Sequence, residues 1–388
     1  MSDTEPFIIA NRSIAPGTAE ILTIPVSQQV TGLDASLALK VLHGAKPGPA
    51  VFVSAAIHGD EIVGTAIIQR LIDHLMPGAM AGTLILAPAV NIYGFASHSR
   101  YLPDRRDLNR SFPGYENGSL AAQLAHTFLE QVIDRCSLGI DLHTAAVHRY
   151  NLPQIRIASG SPYLTELAMA FAPPIIIESP LRPGSMRALA ADRETPMLLL
   201  EAGEALRFDR YSIKVGVAGV LRVLAHIGMI ELDDGLAVVK VPTRANRSSW
   251  VRAPRGGVSR RVRKSGDVVR QGDMLAVVGG LFGRTAGALV GGIRVKKGEA
   301  NVVLSLVNAR TTVEEALVEG YARKTDLGWA AGGGAGWWGG LAGAGGGSYQ
   351  NTQIGQVIVL AYLDAYTKLV DEMGGLPYDA AEDAPLAQ

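Results

Sequence analysis

The sequence predicts an α/β protein: a sheet covered by helices on both sides, with smaller β-rich pieces after it. Three observations predict it. Continuous apolar runs such as PAVFVSAAIH, GTLILAPAVN, LGIDLHT and MLLLEAGE suit strands buried on both faces. Segments with apolar residues at helical spacing, GDEIVGTAIIQRLIDHL and SLAAQLAHTFLEQVI, lie between those runs. Strands that alternate with helices imply a sheet sandwiched between helical layers.

The bulk numbers set the frame for this reading. A chain of 388 residues is too long for one small core, so roughly two or three structural units are expected. Lys plus Arg and Asp plus Glu number 36 each, so no global field draws the chain to nucleic acid or an anionic membrane. The single cysteine, Cys136, excludes an internal disulfide, favours a reducing compartment and reads as a small buried residue. The start, MSDTEPFIIANRS, lacks the basic residues and apolar core of a secretory signal. No run approaches the ~20 apolar residues that span a bilayer. A cytoplasmic protein with neither nucleic-acid nor membrane partners is the expectation.

The elements follow in order. Within residues 1–45, ILTIPVS and SLALKVLHG read as short strands of a hairpin. From Pro47 the buried strands and helices of the α/β domain take over, and that domain is assigned to residues 1–245. Residues 246–283, with APRGGV, KSGDVVRQGD and LAVV, are similar to the first half of a biotinyl/lipoyl-carrier-like β module. Where those carriers have their modified lysine this chain has GGLFG, which argues against a swinging arm. The basic stretch RRVRK at 260–264 alternates with apolar residues and reads as a solvated strand face. Residues 284–325 are β-like, and 326–350 are so rich in glycine that they read as a linker. Over 351–376, Ile354, Val357, Ile358, Ala361, Tyr362, Ala365 and Leu369 make the apolar stripe of an amphipathic helix. Gly374, Gly375 and Pro377 stop it, and 377–388 read as a disordered tail.

Sites in such sheets form beyond the carboxyl ends of strands. Three apolar runs here end in a residue able to bind metal or move a proton: His58, His143 and Glu201. His58-Gly59-Asp60-Glu61 can be read in two ways. Asp60 and Glu61 are polar caps of the next helix, or His58 and Glu61 are two metal ligands awaiting a third. Catalytic zinc takes three protein ligands and leaves a fourth position open. His143, 85 residues further on, can be the third, and Asp141 shares its strand face and can orient it. Asp107-Leu108-Asn109-Arg110 sets an amide beside a guanidinium, the fork that suits a carboxylate. Glu201 follows so apolar a run that burial should raise its pKa toward acid–base use. His43, His74, His98, His126, His148 and His226 have no matched partner and read as ordinary histidines; His148 and Arg149 follow His143 closely enough to reach a substrate.

HGDE, DLNRSFPG, DLHT and LLLEAGE, in this order, resemble the succinylglutamate desuccinylase/aspartoacylase family of zinc-dependent deacylases, relatives of the zinc carboxypeptidases. The resemblance covers roughly residues 35–282. It implies a zinc-exopeptidase-like mixed sheet flanked by helices, and one zinc ion per chain held by His58, Glu61 and His143. It further implies Glu201 as the glutamate that activates water, Asn109 and Arg110 as holders of a substrate carboxylate, and Arg100, in SRYLP, as the group that polarises the scissile carbonyl. The implied substrate is a small N-acyl amino acid, hydrolysed at its amide; a homo-oligomer is left open. A second resemblance pulls elsewhere. Residues from about 283 to 377 are similar to the C-terminal part of curli production assembly/transport lipoproteins, which would make the chain an envelope assembly or interaction protein with a passive α/β domain.

Overall fold

The apolar run PAVFVSA becomes the second half of strand β5 (Lys46–Ala55), which lies in the interior of a nine-stranded sheet, as a strand buried on both faces must. The computed structural model describes residues 4–28, 34–237, 240–253, 258–279, 291–294, 299–307, 314–323 and 353–372. These fall into two units, Met1–Ser248 and Ser249–Gln388.

The first unit opens with a small hairpin, β1 (Phe7–Ile9) and β2 (Arg12–Ile14), followed by β3 (Thr18–Gln28) and β4 (Asp34–His43). After β5 come α1 (Val63–His74), β6 (Ala81–Ala87), α2 (Ile92–Ala96), α3 (Leu120–Gln131) and β7 (Leu138–Ala145). Then follow β8 (Asn151–Ile157), α4 (Pro162–Phe171), β9 (Ile175–Glu178), α5 (Met186–Asp192) and β10 (Met197–Glu204). The unit closes with α6 (Arg210–His226), α7 (Asp234–Ala237) and β11 (Thr243–Ala245). The strands are ordered β11-β9-β8-β10-β7-β5-β6-β4-β3. Neighbours β6, β5, β7 and β10 are parallel, whereas β4 runs against β6, β3 against β4, and β8 against β10.

Side chains alternate between the faces of each strand, and this sorts core from chemistry. Val51, Val53 and Ala55 of β5, Ile140 and Leu142 of β7, and Leu198 and Leu200 of β10 pack into the core under α1, α4 and α6. Phe52 turns to the opposite face, where its ring meets Phe128 of α3 edge-on at 5.9 Å. Its ladder partner is Gly139, and a Cβ there would lie 2.2 Å from the ring, so only glycine fits beneath it. On that same face, nearer the carboxyl ends, stand Ser54, Asp141, His143 and Glu201. Their register is explicit: Ser54 pairs with Asp141 and His143 with Glu201.

In the second unit β12 (Val258–Arg261) and β13 (Met274–Gly279), within the expected 246–283 module, join β14 (Gly291–Arg294), from the stretch expected to be separate, in one three-stranded antiparallel sheet. β15 (Glu299–Val307) and β16 (Glu314–Arg323) form a hairpin, and helix α8 (Gln353–Glu372) lies against it. On α8, Ala361 and Ala365 are buried but Tyr362 is half exposed, so the stripe is narrower there than its sequence suggests. The glycine-rich linker and the tail expected at 377–388 lie outside the described residues. Among the described residues no helix is long and apolar enough to cross a membrane.

Candidate metal centre

The turn after β5 answers the question posed by His58-Gly59-Asp60-Glu61. The N-cap of α1 is Ile62, no side chain caps the helix, and its first turn holds no acidic residue. Asp60 and Glu61 therefore do not serve as caps. Gly59 lets the turn press against α2: a Cβ there would lie 1.9 Å from the Gly94 carbonyl carbon. The tight turn aims His58 and Glu61 at one point, and β7 delivers His143 to it.

One donor atom from each of His58, Glu61 and His143 lies within 4.8 Å of the others, and all three residues are buried. Glu61 divides its oxygens between the rings, with Oε1 2.8 Å from His58 Nδ1 and Oε2 2.8 Å from His143 Nδ1. The Thr144 backbone N–H also donates to Oε2, at 3.0 Å. The far nitrogen of each ring is held by another carboxylate. His58 Nε2 is 3.1 Å from Asp107 Oδ1, and His143 Nε2 is 2.6 Å from Asp141 Oδ2. Ser54 Oγ donates to the other oxygen of Asp141 at 2.7 Å, so that buried carboxylate is fixed from both sides.

This pattern fits a divalent metal. A ring whose Nε2–H is committed to a carboxylate presents the Nδ1 lone pair toward Glu61. Lone pairs facing carboxylate oxygens across 2.8 Å require a proton or a metal cation to compensate them. The electrostatics carry the same demand for positive charge. Burial alone would lower the pKa of both imidazoles, but Glu61 and Asp107 on His58, and Asp141 and Glu61 on His143, outweigh it and raise both. Burial would raise that of Glu61, yet the two imidazoles hold it well below the usual carboxylate range. Two nitrogens and one oxygen form a donor set of the kind catalytic zinc takes.

The other expected residues are placed as follows. Arg100 stands beside the ligands, donating from Nη1 to Glu61 Oε1 at 3.3 Å and from Nη2 to Asp107 Oδ2 at 3.1 Å. Glu201 is the strand neighbour of His143; Asn151 Nδ2 donates to its Oε2 at 2.8 Å, and burial raises its pKa although His143 and Arg156 pull it down. Asn109 is buried in the segment that holds Asp107, but its Oδ1 accepts the Met186 N–H at 2.9 Å, so it braces α5. Arg110 is exposed and folds onto the carbonyl of Asn109. His148 is exposed and donates its backbone N–H to Glu204. His43 is an ordinary core histidine, bonded to Thr83 and the Glu5 carbonyl, and Cys136 is buried. Sequence reasoning missed Asp107, Ser54, Asn151 and Arg156 as parts of the site. For Asp107 a signal existed, since it begins the DLNR motif; the others depend on strand pairing.

The family model of the succinylglutamate desuccinylase/aspartoacylase catalytic domain matches residues 47–227. The N-alpha-acetyl-L-2,4-diaminobutyric acid deacetylase of Halomonas elongata is 25% identical over 270 residues, 66% of this chain and 78% of that one. A succinylglutamate desuccinylase/aspartoacylase structure from Rhodobacter sphaeroides is 28% identical, with TM-score 0.59 over 71% of this chain and 87% of its own. The ectoine utilization protein EutE (DoeB) of Ruegeria pomeroyi shares the fold, with TM-score 0.63 at 21% identity over 75% of this chain and 91% of its own. The mixed sheet is thus the zinc-exopeptidase-like fold that the motifs implied. Residues 47–227 thus resemble the catalytic domain of the succinylglutamate desuccinylase/aspartoacylase family.

Proposed function

We propose that the chain is a zinc-dependent deacylase that hydrolyses the amide bond of a small N-acyl amino acid, with one zinc ion held by His58, Glu61 and His143. The observation that carries the reading is the convergence of these three donors, each imidazole braced by its own carboxylate, with Glu201 on the adjoining strand. The Halomonas elongata relative, named for deacetylating an acylated amino acid, supports the same reaction class.

Zinc, when bound, supplies Lewis-acid character that polarises a carbonyl and acidifies water to a pKa near ~7. Glu201 is the proton carrier in this reading: its buried carboxylate takes a proton from the attacking water and returns it to the leaving amine. Asn151 keeps one of its oxygens in place. Arg100, next to Glu61 and Asp107, offers a cation to the oxygen on which negative charge develops. Asn109 and Arg110, which the resemblance casts as holders of a substrate carboxylate, are engaged instead with the Met186 N–H and the Asn109 carbonyl, so that role is left to another cation. A cytoplasmic setting and a small soluble substrate go with this reading.

A panel of acetylated, succinylated and longer-acylated amino acids, assayed with added zinc and after chelation, tests it. Amide hydrolysis that a chelator abolishes and zinc restores is expected. Metal-independent turnover, or none on the whole panel, would overturn the proposal.

A further inference from the structure

On β8, antiparallel to β10, Arg156 stands opposite Leu199 and therefore on the face that carries Glu201. Its Nη1 is 3.8 Å from Glu201 Oε1, too far for a hydrogen bond. Its Nε is buried and has no hydrogen-bond partner, although a third of the side chain is open to solvent. An N–H buried without an acceptor is costly and rare in folded proteins, so its position calls for an oxygen the protein does not itself supply.

Neighbouring groups do not supply one. Arg187 is near enough that Arg156 and Arg182 both oppose its charge, with only Glu201 favouring it. Two of its nitrogens already donate, Nη1 to Ser179 Oγ at 3.1 Å and Nη2 to the Pro180 carbonyl at 2.8 Å. Glu201, the carboxylate paired with Arg156 at 3.8 Å, already accepts from Asn151. The surroundings of Arg156 thus hold an excess of positive charge and one guanidinium edge without an acceptor. Arg110, expected to grip a carboxylate, instead spends a donor on the carbonyl of its own neighbour.

We infer that Arg156 receives a carboxylate of the substrate beside Glu201, its Nε and one Nη gripping the two oxygens. This deepens the deacylase reading and rests on it: the substrate is an anion, and Arg156 orients it against the proton carrier without entering the chemistry. The carboxylate comes either from the amino acid or from a dicarboxylic acyl group, and the test separates them.

The zinc-loaded wild type, R156Q and R156K are compared on three substrates: an N-acetyl amino acid, its carboxamide, and an N-succinyl amino acid carboxamide. Binding is measured in parallel by calorimetry, with analogues in which a methylene replaces the scissile carbonyl. For whichever compound places its carboxylate on Arg156, R156Q should raise KM and the dissociation constant about 10–100-fold, as expected for losing a charged hydrogen bond. Its kcat should stay within a few-fold, R156K should recover part of the loss, and the fully neutral carboxamide should be indifferent. Equal losses on the neutral carboxamide, or a fall in kcat alone on all three, would overturn the assignment and make Arg156 a support for Glu201. So would R156Q kinetics and binding identical to wild type. Arginine-dependent binding of the anionic analogues without turnover would sustain the Arg156 assignment while refuting the deacylase reading.

Discussion

Replacing Asp141 by asparagine tests the metal centre through a residue that touches no metal. Asp141 is fully buried, one oxygen 2.6 Å from His143 Nε2 and the other accepting from Ser54 at 2.7 Å. Asparagine keeps the shape and one acceptor but loses the charge that fixes the ring and raises its donor strength. A hydrogen bond to a charged group contributes about 1.5–3 kcal/mol net. At about 1.4 kcal/mol per tenfold, that amounts to roughly 10–100-fold in zinc affinity. The range agrees with what such supporting residues give elsewhere, about 10–100-fold. D141N should therefore stay folded by circular dichroism and bind zinc that much more weakly in competition with a chromophoric chelator. S54A, which leaves the His143 contact intact, should fall between wild type and D141N. Zinc bound by D141N as tightly as by wild type would refute the reasoning.

Other expectations follow from the same geometry. E201Q should keep a full complement of zinc by elemental analysis while kcat falls about 10²–10⁴-fold; near-normal turnover would remove Glu201 from its role. Burial disfavours the charged form of Glu201 and raises its pKa, so the proton-accepting form is present only above that value. In the metal-free protein the Glu201 carboxyl should accordingly titrate above the ordinary glutamate value of about 4.3, read by NMR, and titration at that value would contradict the desolvation. G59A would place a methyl group 1.9 Å from the backbone of Gly94, which cannot swing aside. Urea unfolding should show a loss of at least about 1–3 kcal/mol, and an unchanged midpoint would rule out the close approach. F52A empties the space over Gly139 and beside Phe128, and should cost about 3–5 kcal/mol in the same assay.

Much of the central sheet could be read from sequence because its parallel strands are buried on both faces. LGIDLHT and MLLLEAGE therefore announce themselves as apolar runs, and a polar residue in such a run stands out. His58, Glu61, His143 and Asp141 were legible for that reason. NLPQIRI was not, since β8 carries Pro153, Gln154 and Arg156 and looks locally like a loop. Its place beside β10 is a matter of long-range pairing, and Asn151 and Arg156 join the site only through it. Asp107 illustrates the same limit across 49 residues: the motif around it was visible, but nothing local says that its carboxylate meets His58. Nor could the sequence foretell that Asn109 would spend its side chain on α5.

His143 and Glu201 sit on matching rungs of β7 and β10, two parallel strands hydrogen-bonded to one another. Adjacent strands are held about 4.8 Å apart, and that separation cannot drift without tearing the ladder. On the proposed function, proton carrier and metal ligand would thus be held at a constant offset by main-chain geometry. The connections that leave the carboxyl ends of these two strands, 146–150 and 205–209, are the segments where length and composition vary most easily. If the deacylase reading holds, changes confined to these loops would alter which acylated compound is accepted without disturbing either group.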